Sequence, residues 1–109
     1  MSIFLDGVLI LLAGWNVHAQ ELQSLDCSAQ STLKSINGDT PTSIDFVNQT
    51  ADQVLVYWLD YSGKRVLYNT LPSGSHYVQQ TYLTHPWVVT NSVGTCLAIF
   101  YHWRASTRR

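Results

Sequence analysis

From Leu33 to Tyr101 the chain is a succession of short apolar-rich runs, several alternating apolar with polar residues, broken roughly every 8–12 residues by turn-forming clusters. A period of two marks a strand, because successive side chains point to opposite faces of the backbone. The runs predict strands at Leu33–Ile36, Ser43–Asn48, Val54–Asp60, Arg65–Asn69, His76–Thr81, Trp87–Thr90 and Cys96–Tyr101. Between them stand Asn37-Gly38-Asp39, Asn48-Gln49-Thr50, Ser62-Gly63, Pro72-Ser73-Gly74 and Asn91-Ser92-Val93-Gly94. These residues supply positive φ, a preset φ or side-chain-to-backbone bonds, so each turn has a mechanism. In Ser43–Asn48, Ile44 and Phe46 share one face. In Val54–Asp60 both faces are apolar, with Val54, Val56 and Trp58 on one and Leu55, Tyr57 and Leu59 on the other. That predicts a central strand covered on both sides.

The pattern implies a sandwich or barrel over residues 33–101, preceded by a loose polar lead-in over 20–32. Residues 102–109 show no periodicity and read as a frayed tail. Composition agrees: Tyr, Trp, Thr, Ser and Val abound and helix formers are thin beyond the first residues, so the class is all-β. With 109 residues there is room for one domain. A net charge of -1, with six Lys and Arg against seven Asp and Glu, argues against a nucleic-acid partner.

The N-terminus follows a different rule. Gly7–Gly14 is apolar but too short to span a bilayer as a helix, which takes ~20 residues. Val17-His18-Ala19 places small or apolar residues where a signal peptidase reads, so a secretory signal over 1–19, cleaved before Gln20, is the expectation. The lack of Lys or Arg ahead of the run and Asp6 at its edge count against it, and an uncleaved anchor or a structural segment are the alternatives. The expected location is therefore secreted or periplasmic, with no stable membrane span once the signal is removed. The two cysteines, Cys27 and Cys96, fit that compartment as a disulfide tying the ends of the domain. Two unrelated buried thiols are the alternative; a metal pair would want a CxxC or a nearby His.

Candidate chemistry is sparse. His85 has Thr81 and Thr84 nearby but no acidic residue in its segment to orient it, there is no GxSxG, and the Asp residues stand singly, so catalysis is not expected. His76, His85 and His102 match no metal-ligand spacing, and the glycine-rich phosphate loops are missing, so no cofactor is implied. Asn48-Gln49-Thr50 is a formal glycosylation sequon, but turns hold Asn and Thr for their own reasons. The strongest signal is aromatic: Trp58, Tyr61, Tyr68, Tyr77, Tyr82 and Trp87 exceed what so small a core requires. Joined by Thr81 and His85 they suggest a shallow aromatic pocket with polar handles, suited to proline-like rings, sugars or peptide side chains.

The segments LKSINGDTPTSIDFVNQT, VYWLDYSGKRVLYNTLPSG and QQTYLTHPWVVT, in that order, resemble the von Hippel-Lindau tumour suppressor β-domain family over roughly Leu33 to Ile99. The resemblance implies a small seven-stranded β-sandwich that recognises 4-hydroxyproline in an extended peptide, with the ring in an aromatic pocket and its hydroxyl held by a Ser and a His. Carried over by motif, the pocket residues are Trp58, Tyr68, Thr81, Tyr82, His85 and Trp87, with Asn37 on the peptide path. Two positions depart from the family: Gln80 stands where it has His, and Thr81 where it has Ser. The helical domain through which the family docks onto elongin is not in this sequence, so an elongin/cullin ubiquitin-ligase role is not expected to transfer. The expected partner is an extended proline- or hydroxyproline-containing peptide. A structural or accessory sandwich with no retained ligand, and a carbohydrate-binding module, are the rival readings.

Overall fold

A computed structural model describes Leu22 and residues 24–101; the signal expected over 1–19 and the tail over 102–109 lie outside the described residues. Seven strands form, β1 (Ser24–Leu25), β2 (Pro41–Val47), β3 (Val54–Leu59), β4 (Arg65–Leu71), β5 (His76–Tyr82), β6 (Pro86–Thr90) and β7 (Cys96–Tyr101), with one 3-10 helix at Cys27–Thr32. All pairings are antiparallel: one sheet runs β1-β7-β6-β3-β4 and the other pairs β2 with β5. The protein is the small all-β sandwich that the alternating pattern and the resemblance implied.

The core lies where the two sheets face each other. Ile44 and Phe46 of β2 meet Val54 and Val56 of β3, Leu71 of β4, Trp87 and Val89 of β6, and Ala98 and Phe100 of β7, all buried. Phe46 sits at the centre, with ring centroids 5.8 Å from Tyr77, 6.0 Å from Trp87 and 6.2 Å from Phe100. Burying an aliphatic or aromatic side chain of this kind contributes roughly 1.5–3 kcal/mol. The far face of the larger sheet has its own cluster, Leu59, Val88 and Ile99, packed against Leu33, Tyr57 and Cys96. Strand β3 is therefore apolar on both faces because both are covered, as its sequence required. All five residues of β6 are buried for the same reason.

What covers the far face was not visible in the pattern. The 20–32 stretch is not loose throughout: β1 pairs Ser24 with Phe100 and Leu25 with Ile99, and the 3-10 helix follows, capped by Asp26. Cys27 is joined to Cys96 of β7, so the expected disulfide forms. With the cysteines 69 positions apart, the chain-entropy model assigns it about 4 kcal/mol. Arg65 adds a second tie. It donates from Nη1 to the Gly94 carbonyl at 2.8 Å and from Nη2 to Gln30 Oε1 at 2.9 Å, with its guanidinium 5.5 Å from the Tyr57 ring centroid. The strand expected at Leu33–Ile36 does not form. That stretch joins the end of β3 instead: the Ser35 amide donates to the Asp60 carbonyl at 3.1 Å and its hydroxyl to the Leu59 carbonyl at 2.6 Å.

The turns are built by side chains accepting from backbone amides. Asp60 Oδ1 takes the Ser62 and Lys64 amides at 2.8 and 2.9 Å, and those bonds hold its carboxyl below the usual carboxylate range. Gly63 closes that turn at φ +82°, where a side chain would be strained. Asn48, the sequon residue, is fully buried. Its Nδ2 donates to the Asp52 and Leu71 carbonyls, both at 2.9 Å, and its Oδ1 accepts from the Thr50 amide at 3.0 Å and hydroxyl at 2.6 Å.

Candidate functional site

Aromatic side chains from four elements converge at one end of the sandwich, around a cavity of about 250 Å³ lined by Trp58, Tyr61, Tyr68, Gln80, Thr81, Tyr82, His85 and Trp87. Trp58 and Trp87 are brought together by register, since they are direct partners across the β3–β6 pair. Tyr68 arrives by a different device. Between β3 and β4 the register shifts, pairing Val56 with Asn69 and Tyr57 with Leu67, and Tyr68 is the extra residue of the bulge. A bulge re-aims a side chain that strict alternation would send elsewhere. Here the Tyr68 ring reaches Trp87 edge-on at 5.0 Å and Trp58 at 6.1 Å.

His85 closes the opposite side. Its ring stacks on Trp58 with centroids 5.3 Å apart and planes 30° from parallel, and the Tyr61 and Tyr82 rings lie 5.4 and 5.3 Å away. The residue is only 6% exposed. That desolvation pushes its pKa below the ordinary 6.5, opposed by a backbone hydrogen bond with Asn37, so the imidazole is neutral at pH 7. It is delivered by an unusual turn. Thr84, β-branched, holds φ at +74°, a conformation that costs about 1–2 kcal/mol. Its hydroxyl accepts from the Asn37 amide at 3.3 Å and donates to the Asn37 carbonyl at 3.2 Å.

The polar tips are already committed in part. The Trp87 indole donates to Thr81 Oγ1 at 2.8 Å, and the Trp58 indole to Ser35 Oγ at 2.7 Å. Both indoles thus spend their N–H groups inside the protein. Tyr61 Oη lies 3.0 Å from His85 Nε2. Such an assembly is suited to holding a small ring against aromatic edges and faces, with hydroxyls at the wall. Among the described residues no group of three or more His, Cys, Asp or Glu could hold a metal ion.

Of the residues proposed from sequence, Trp58, Tyr68, Thr81, Tyr82, His85 and Trp87 line this cavity together. Asn37 does not line it; its backbone instead positions His85 and Thr84. Tyr61 and Gln80 are wall residues that the motif reading left outside the site, although Tyr61 belonged to the aromatic excess. Ser35 had no signal of its own, since its role depends on the chain crossing the end of β3.

The VHL beta domain family model matches residues 33–95. That span contains every residue lining the cavity, together with Ser35 and Asn37, and excludes both cysteines of the bridge. A search of the curated proteins gave no match.

Proposed function

The chain belongs to the VHL beta domain family, and from that premise we propose that it is a non-enzymatic peptide-binding module whose aromatic cavity receives a proline or hydroxyproline ring from an extended segment of a protein partner. The family is a protein-binding domain, and the observation that carries the finer reading is the convergence of Trp58, Tyr68 and Trp87 with Thr81 and His85 on one small cavity. A proline ring offers a flat CH-rich surface to aromatic walls and, with its φ already fixed, loses little entropy on binding. A hydroxyl on that ring would meet the Thr81 end of the cavity, where a ligand lacking it forfeits a hydrogen bond in a partly dry site. An extended peptide running beside β5 would add main-chain bonds.

A secreted or periplasmic location accompanies this reading. It is supported by the Cys27–Cys96 bridge, which fits an oxidising environment, and by the apolar leader of the sequence. The test is titration of the purified protein with matched peptides carrying hydroxyproline or proline, beside the Trp58→Ala and His85→Ala variants. Saturable binding that both variants abolish while remaining folded is the expected result. Equal binding of the two peptides removes hydroxyl recognition, and binding of neither removes the module reading.

A further inference from the structure

The hydrogen bonds around the cavity have directions, and the directions leave a gap. The Trp87 indole can only donate, so at Trp87 Nε1 to Thr81 Oγ1 the threonine is the acceptor and its own hydrogen points elsewhere. On the other side, Tyr61 Oη lies 3.0 Å from His85 Nε2, so that ring nitrogen is already engaged inside the protein. A neutral imidazole carries one N–H. In the tautomer with that N–H on Nδ1, Nε2 accepts from the Tyr61 hydroxyl. The Tyr61 oxygen keeps its lone pairs. Two residues lining the same cavity therefore offer a donor, the Thr81 O–H, and an acceptor, Tyr61 Oη.

We propose that this gap is completed by a neutral ligand hydroxyl, accepting from Thr81 and donating to Tyr61, so that Tyr61 rather than His85 touches the ligand's hydroxyl and sets its specificity. The inference rests on the ring-binding reading above. The completed chain runs one way: Trp87 to Thr81, to the ligand, to Tyr61, to His85. Each link polarises the next in a site lined by six aromatic rings. Only a group that both donates and accepts fits the middle. An ammonium has nothing to offer Thr81, a carboxylate or ketone has nothing to offer Tyr61, and an unsubstituted ring leaves both unanswered. His85 becomes a positioning residue: Nε2, as acceptor, aims the Tyr61 hydrogen away from the cavity.

The Tyr61→Phe variant decides between this arrangement and direct contact with His85. The ring and its edge-on packing on Trp58 and His85 are retained, and only the oxygen is removed. If the ligand bonds Tyr61, the ratio of hydroxyproline-peptide to proline-peptide affinity falls about tenfold in the variant, with proline-peptide affinity unchanged. If the ligand instead displaces Tyr61 to reach Nε2, the variant removes an obstacle and the ratio stays or rises, which overturns the proposal while leaving the ring-binding reading intact. A second readout needs no ligand. Long-range proton–nitrogen NMR of the imidazole in the unbound protein is expected to show hydrogen on Nδ1, and hydrogen on Nε2 overturns the chain's direction. A wild-type protein that binds both peptides equally, with Nδ1 protonated, rejects the hydroxyl ligand itself and with it both this proposal and that part of the function.

Discussion

Replacing Ser35 by alanine tests whether the N-terminal segment holds the pocket or merely covers the sheet. The residue is 2% exposed, and its hydroxyl makes two short bonds, donating to the Leu59 carbonyl at 2.6 Å and accepting from the Trp58 indole at 2.7 Å. Each bond is worth about 1 kcal/mol net, and a donor left dry costs about 1–3 kcal/mol. Trp58 is only partly buried, so water can take up its N–H in the variant. That places the expected loss near 2 kcal/mol rather than at the upper sum. Urea unfolding followed by tryptophan fluorescence should show a lower midpoint with an unchanged slope. The Trp58→Phe variant, which keeps a ring and loses the N–H, completes a double-mutant cycle with a coupling of about 1 kcal/mol. If Ser35→Ala costs less than about 0.5 kcal/mol, or the two substitutions add, the hydrogen bond is incidental and Trp58 is held by packing alone.

Two further predictions follow from buried polar groups. Asn48→Ala removes four hydrogen bonds at a fully buried site and should cost about 3 kcal/mol in the same unfolding assay. Because the Asn48 amide is spent on the Asp52 and Leu71 carbonyls, protein made in a glycosylating host should show the unmodified mass there, and a glycan at Asn48 on folded protein refutes that account. His85 has a folded pKa below its ordinary 6.5, so the unfolded chain binds the proton first as pH falls. Stability should be full above about pH 6.5 and decline as pH drops through the folded value, and His85→Gln should flatten that decline across the same interval. A wild-type profile no steeper than the variant's rejects it.

What the sequence made legible is what strand parity determines. Trp58 shares its face with Val54 and Val56, and Trp87 with Val89; each tryptophan was placed by the apolar residues two positions away, which the core needs. In β5 the same rule turns Tyr77, Gln79 and Thr81 inward, more covered than their neighbours Val78, Gln80 and Tyr82. The motif resemblance supplied candidate residues and parity the facing, and six of the seven residues singled out line the cavity. Parity fails at Tyr68, because a bulge is an extra residue that no period of two can announce. It fails again over 24–36, where structure is imposed from outside. Ser24 and Leu25 pair only because β7 offers an edge, the 3-10 helix is moored by Cys96, and Ser35 finds its partners only where the chain crosses β3. The asymmetry has a consequence for the site. Most of its walls are strand residues, with Tyr61 and His85 supplied by turns, whereas Ser35 and Asn37, which help to orient Trp58 and His85, lie on a segment without regular pairing. The cavity's shape therefore belongs to the sandwich, and part of the bonding that orients it comes from the segment that follows the disulfide-moored helix.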